Sequence, residues 1–99
     1  MNALAPTLQD SNLLEQVYLI DRDAGLLCRI LGLYAARGVD LLHVDYAYAA
    51  QHVMKLRVSV AGDVDAQIDD VVRVLVDKAA TFVGVLAASE QRSAPRWVA

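Results

Sequence analysis

The sequence predicts an α+β domain, one antiparallel sheet of four strands with two helices packed on one of its faces. Three observations carry that prediction. Two separated stretches repeat apolar residues with a helical period, four others alternate or form short apolar runs, and the two kinds follow one another as β-α-β-β-α-β.

From Leu13 to Asp21, Leu13, Val17 and Leu19 alternate with Leu14, Tyr18 and Ile20. Both faces are thus apolar apart from Glu15 and Gln16, as in a strand covered on both sides. Next, Leu27, Ile30, Leu31 and Tyr34 fall at i, i+3, i+4 and i+7, with Asp23 placed to cap the first turn and Gly38 to end the last. A helix over about Ala24 to Arg37 follows. Leu42, Val44, Tyr46 and Tyr48 then share one face of an alternating run. After a turn near Ala49 to Gln51, so do His52, Met54, Leu56, Val58 and Val60, while Lys55, Arg57 and Ser59 point the other way. This is a hairpin with its apolar face on the core. Asp63 is placed to cap a second helix from about Val64 to Lys78, whose Ile68, Val71, Val72 and Leu75 repeat the helical spacing. The run "ATFVGVLAA", residues 80–88, reads as a buried strand.

This order is the split βαβ, or ferredoxin-like, arrangement, in which two right-handed crossovers put both helices on one side of the sheet. Residues 13–88 then form the domain, 1–12 an N-terminal extension and 89–99 a polar tail. On this reading Val83, Val85 and Ala87 of the last strand and Leu14, Tyr18 and Ile20 of the first lie on the open face. Such a face is too apolar for water, so association is expected through it, with Tyr18 at the partner interface.

Composition narrows the classes. At 99 residues a single domain is expected, and the 57% apolar share exceeds the usual ~45–50%, which suits a surface covered by a partner. The longest uncharged stretch, Ala79 to Ser89, is roughly half the ~18–20 residues a membrane span needs. The N-terminus "MNALAPTLQD" has no basic region followed by an apolar one, so a soluble, cytoplasmic protein is expected. One cysteine, Cys28, excludes an internal disulfide and a multi-cysteine metal site. The net charge of −3 is made of interspersed signs, which argues against nucleic acid.

Candidates for chemistry are few. His43 and His52 fall on opposite faces of the hairpin with no ligand partners in reach. Asp63, Asp65, Asp69 and Asp70 suit the N-terminal end of a helix dipole. Ser11, Ser59, Ser89 and Ser93 have no positioned base. No enzyme and no cofactor are expected. What remains is the stretch "DRDAGLL" at residues 21–27. A glycine in a helix's first turn lets a ligand approach backbone N–H groups that suit a carboxylate, and Arg22 adds a cation; equally, Gly25 eases a tight strand-to-helix turn. In the tail, Trp97 is the candidate anchor on a partner, the alternative being a disordered tail.

Residues 22–41, "RDAGLLCRILGLYAARGVDL", resemble the ACT domain, and within it the regulatory small subunit of acetohydroxyacid (acetolactate) synthase. That family's recurring pattern is Asn-x-Pro-Gly-Val-Leu-x-Arg-x-x-Gly-Leu-Phe-x-x-Arg-Gly-x-Asn-Ile. Gly25, Leu27, Arg29, Gly32, Leu33, Arg37 and Gly38 match it outright, and the likeness extends over about residues 14–88. The resemblance implies a non-catalytic subunit, a homodimer formed by edge-to-edge sheet pairing, with a free amino acid bound at the seam. The implied effector site comprises Arg22, Asp23, Ala24, Gly25, Leu26 and Leu27, with Asp40 and Leu41 reaching it across the dimer interface. The chain departs from the pattern where Arg22 and Asp40 replace the two asparagines and Ala24 replaces the proline. Arg22 and Asp40 either clamp the carboxylate and ammonium of an amino acid or pair with each other and close the site.

Chain length resembles that of the short form of this subunit, which activates a thiamine-diphosphate-dependent catalytic subunit. Three functions are therefore carried forward. The first is a regulatory subunit of acetohydroxyacid synthase, with feedback by valine, leucine or isoleucine. The second is a stand-alone amino-acid-binding ACT sensor acting on another enzyme or transporter, and the third a ferredoxin-like enzyme with a pocket between sheet and helices.

Overall fold

The computed structural model describes residues 13–62 and 67–93, with side chains described as far as Gln91. The elements are β1 (Leu13–Asp21), α1 (Ala24–Ala36), β2 (Leu41–Ala50), β3 (Val53–Ala61), α2 (Gln67–Ala79) and β4 (Val85–Ser93). The strands form one sheet in the order β2-β3-β1-β4, every neighbouring pair antiparallel. This is the ferredoxin-like βαββαβ fold. No helix among the described residues is long and apolar enough to cross a membrane.

The core lies between the helices and one face of the sheet. Leu14, Tyr18 and Ile20 of β1 and Leu56, Val58 and Val60 of β3 pack against Leu26, Ile30 and Tyr34 of α1 and Val72, Leu75, Val76 and Ala79 of α2. Fully burying one such aliphatic or aromatic side chain is worth about 1.5–3 kcal/mol.

This packing reverses the face expected for β1. Leu14, Gln16, Tyr18 and Ile20 are buried beneath the helices, whereas Leu13, Glu15, Val17 and Leu19 line the helix-free face. Tyr18 is fully buried within its own chain and is therefore no partner interface. Apolar residues occupy both faces of β1, so hydropathy alone leaves its orientation open. Charge decides it: Glu15 pairs across the ladder with Ser59, and its Oε2 lies 3.4 Å from Arg57 Nε, on the wet side of β3.

The final strand also moves. Residues 80–84, expected within it, form a loop whose Phe82–Val85 turn is closed by Val85 N–H donating to Phe82 O at 3.2 Å. Gly84 occupies the third turn position at φ 98, as a type II turn requires. The β4 strand therefore starts at Val85 and pairs with β1 as far as Ser93 opposite Leu13, so residues 89–93 belong to the sheet. Leu86 is the extra residue of a bulge opposite Leu19 and Ile20.

The β2 strand is an exposed edge. Val44, Tyr46 and Tyr48 pair with Val58, Leu56 and Met54, on the helix side as expected, yet Tyr48 remains 63% exposed. Leu42 sits at a register irregularity and is also exposed. The hairpin turns at Gln51–His52, slightly later than expected, with His52 at φ 64. Asp63, and the start of the second helix expected at Val64, lie outside the described residues; the helix is seen from Gln67.

Candidate functional site

The turn from β1 into α1 is held from two sides. Arg22 N–H donates to His52 O at 3.0 Å, tying it to the β2–β3 turn, and Asp21 N–H donates to Gly84 O at 2.9 Å, tying it to the α2–β4 loop. A Cβ on Gly84 would lie 2.8 Å from Leu26 Cδ2, so the loop meets α1 closely at a residue whose φ of 98 favours glycine. The Arg29 guanidinium stacks 4.4 Å from the centre of the Phe82 ring, a cation–π contact joining α1 to the same loop.

Within the turn, Asp23 is the N-cap, with φ −148 and ψ 111. Its Oδ1 accepts from Gly25 N–H at 2.9 Å, and its carbonyl accepts from Leu26 and Leu27 N–H, each at 3.1 Å. These are the donors to which the sequence assigns an effector carboxylate. The chain's own Asp23 carboxylate occupies one of them, so an incoming carboxylate at Gly25 N–H must displace that side chain. Arg22, Asp23, Ala24 and Gly25 are exposed, whereas Leu26 is a core residue and Leu27 is half-buried.

Asp40 belongs to a second locus. After α1 ends, Gly38 takes φ 66, its N–H donating to Ala35 O at 3.1 Å, and Val39 N–H donates to Tyr34 O at 3.0 Å. Gly38, Val39 and Asp40, with Ala61, Gly62 and Ile68, line a cavity of about 250 Å³. The resemblance pointed to Asp40 and Leu41 here, but not to the aliphatic wall. That wall depends on Ala61 and Ile68 being brought to the start of β2 by the ladder and by α2, which spacing does not reveal.

A single chain does not bring the two loci together. Leu41 pairs with Val60 and Leu13 with Ala61 at one end of the sheet; Asp21 and Ala50 both pair with Val53 at the other. Along β1 the ends are roughly 25–30 Å apart at ~3.4 Å per residue. Arg22 and Asp40 of the same chain therefore do not pair with each other.

A further polar cluster lies inside the core. Tyr34 O–H donates to Gln16 Oε1 at 2.9 Å, and the Tyr18 and Tyr34 hydroxyls are 2.7 Å apart. Because Tyr34 spends its proton on Gln16, Tyr18 is the donor of the second bond. Burial pushes the Tyr18 hydroxyl up to about 12, partly offset by its hydrogen bond with Tyr34, with the Glu90 carboxylate adding to the rise. Burial, the neighbouring Tyr18 and Glu90 push Tyr34 up further. Gln16, on the face of β1 that carries Leu14, Tyr18 and Ile20, is the sequence signal for this cluster.

Among the described residues, no group of three or more His, Cys, Asp or Glu is arranged to hold a metal ion. Trp97 lies outside the described residues.

No family model matches the sequence, and no curated protein matches it. Solved structures do. The C-terminal domain of the MgtC protein from Mycobacterium tuberculosis superposes with a TM-score of 0.69 at 10% identity, covering 85% of this chain and 89% of that one. The ACT domain of GTP pyrophosphokinase from Chlorobium tepidum gives 0.65 at 14% identity, over 82% and 99% of the two chains. An uncharacterized protein from Thermotoga maritima gives 0.62 at 11%, over 84% and 98%. The likeness is one of fold. It agrees with an ACT-type architecture and does not single out the acetohydroxyacid synthase subunit.

Proposed function

We propose that this chain is a non-catalytic regulatory module that pairs with a second copy through β2 and binds a branched-chain amino acid at the seam. The observation that supports the reading is that the Asp23-capped turn and the cavity beside Asp40 lie at opposite ends of one sheet whose edge strand is exposed and apolar. Antiparallel pairing of β2 with its two-fold mate sets Leu41 of one chain near the partner's Ala50. Asp40 then arrives beside the partner's Gln51–His52 turn, to which the Arg22 backbone is bonded. In this arrangement Arg22 and Gly25 N–H take the ligand carboxylate in exchange for Asp23. Asp40 takes the ammonium, and Val39, Ala61 and Ile68 surround an aliphatic side chain. The effector is valine, leucine or isoleucine, and the regulated enzyme is a thiamine-diphosphate-dependent acetohydroxyacid synthase.

Calorimetry with the three amino acids, run on the wild type, Asp23→Ala and Asp40→Asn, tests the site. The expected outcome is binding by the wild type, tighter binding by Asp23→Ala and at least tenfold weaker binding by Asp40→Asn. Absence of heat with all three amino acids in both the wild type and Asp23→Ala overturns it. Adding the chain to the synthase catalytic subunit tests the partner, and activation is expected. Amino-acid binding with no response from the synthase favours the second reading, a stand-alone sensor of another enzyme, which likeness to an ACT domain of GTP pyrophosphokinase supports at the level of fold.

A further inference from the structure

A cleft of about 220 Å³ opens between the two helices. Leu33, Ala36 and Arg37 line it from the last turn and C-cap of α1, and Val74, Leu75 and Lys78 from the second half of α2. Its walls are largely apolar: Leu75 belongs to the core, Leu33 packs partly against it, and Val74 is left 49% exposed with no neighbour to cover it. Its two charged residues are both cations. Among the described residues neither Arg37 nor Lys78 has an ion pair, the two such pairs joining Arg57 to Glu15 and Arg73 to Asp70. None of the described residues lining the cleft is acidic. A cation near a helix C-terminus complements the dipole. That accounts for one at each helix end, but not for two lining the same apolar cleft.

We propose that this cleft is a binding site for a small monocarboxylate with a compact apolar body, of the benzoate or hexanoate class. Size sets the body: an apolar cavity of roughly 150 Å³ holds benzene, so the cleft has room for a ring of that size with a carboxylate attached. Charge sets the head group. The guanidinium fork of Arg37 matches the two oxygens of a carboxylate, and the Lys78 ammonium adds a compact second charge. Hydrocarbon laid against Leu33, Val74 and Leu75 leaves water, whereas inorganic phosphate leaves those walls wet. A free amino acid brings an ammonium to two like charges and is disfavoured. No residue of the β1–α1 turn, of β2 or of the cavity beside Asp40 lines this cleft, so it is independent of the seam proposed above.

A ¹⁵N–¹H correlation titration of the full chain with benzoate and hexanoate tests it, with benzylamine, inorganic phosphate and valine as controls. Saturable shifts are expected in the backbone amides of Leu33, Ala36, Arg37, Val74, Leu75 and Lys78, with at least tenfold weaker binding of each control there. Arg37→Gln and Lys78→Gln, both at exposed positions, are each expected to weaken benzoate binding severalfold, and together at least tenfold. Should the double variant fail to fold, Val74→Asp, which sets a carboxylate in the wall, is expected to weaken binding at least tenfold. Absence of shifts at these amides, equal affinity for phosphate and benzoate, or undiminished binding by the folded double variant or by Val74→Asp overturns the site. Valine is expected to leave these amides unmoved whatever it does at Arg22–Leu27, so failure of this site and failure of the seam are read separately.

Discussion

The hydroxyl of Tyr34 does two things at once, donating to Gln16 and accepting from Tyr18, and the two tyrosines are therefore unequal. Tyr34→Phe strands both the Gln16 carbonyl and the Tyr18 hydroxyl inside the core, an expected loss of about 2–4 kcal/mol at ~1–3 kcal/mol per orphaned group. Tyr18→Phe leaves the Tyr34–Gln16 bond intact and is expected to cost about 1 kcal/mol. Urea unfolding of the two variants reads the difference, and equal losses would sink the assigned direction. The same pair sets an alkaline limit. Because folding raises Tyr18 from 10.0 to about 12, the native state keeps a proton that the unfolded chain has already lost. Its contribution is whole below pH 10 and falls as pH rises toward 12, by up to about 1.4 kcal/mol per pH unit for each proton held. Urea midpoints at pH 9, 10 and 11 are expected to be flat to pH 10 and then decline.

At the scale of elements, what the sequence made legible depended on how one-sided each segment is. The α1 helix carries Asp23 ahead of it and Gly38 behind, and its observed span, Ala24–Ala36, ends one residue from expectation. The alternation of β3 is marked by Lys55, Arg57 and Ser59 on one side, and its apolar side faces the core. By contrast, β1 is apolar on both faces, so its orientation depended on Glu15 meeting Arg57, a contact between strands rather than a pattern within one. The α2–β4 segment misled for a different reason: Thr81, Phe82 and Val83 have strand-forming side chains, but Gly84 is the turn residue that places them in a loop. Gly84→Ala joins a positive φ to a Cβ 2.8 Å from Leu26, and is expected to cost at least about 2 kcal/mol in urea unfolding. The candidate site was half legible. A motif marks Arg22–Gly25 and Asp40, whereas the occupation of Gly25 N–H by Asp23 is a matter of side-chain geometry.

For the whole molecule, the proposed association rests on one edge. The helix-free face is charged at Glu15, Lys55 and Arg57, whereas β2 exposes Leu42, Val44 and Tyr48. A lysine on an edge strand discourages pairing. Tyr48→Lys is therefore expected to shift sedimentation velocity profiles toward the monomer without lowering the urea midpoint of the isolated domain. A dimer that persists in this variant would place the contact elsewhere. An interface at Tyr18 implies that Tyr18→Asp releases folded monomers; with Tyr18 fully buried in the core, that substitution is expected to unfold the chain instead.

The distance between the β1–α1 turn and Asp40 also has a bearing on concentration. Neither locus completes a receptor alone, so on the seam reading every ligand captured is held by two polypeptides and each pair carries two identical receptors. Mass action then makes occupancy a function of how much of the protein the cell contains as well as how much amino acid. Dilution would unload the ligand at fixed free concentration, and ligand would in turn hold the pair together.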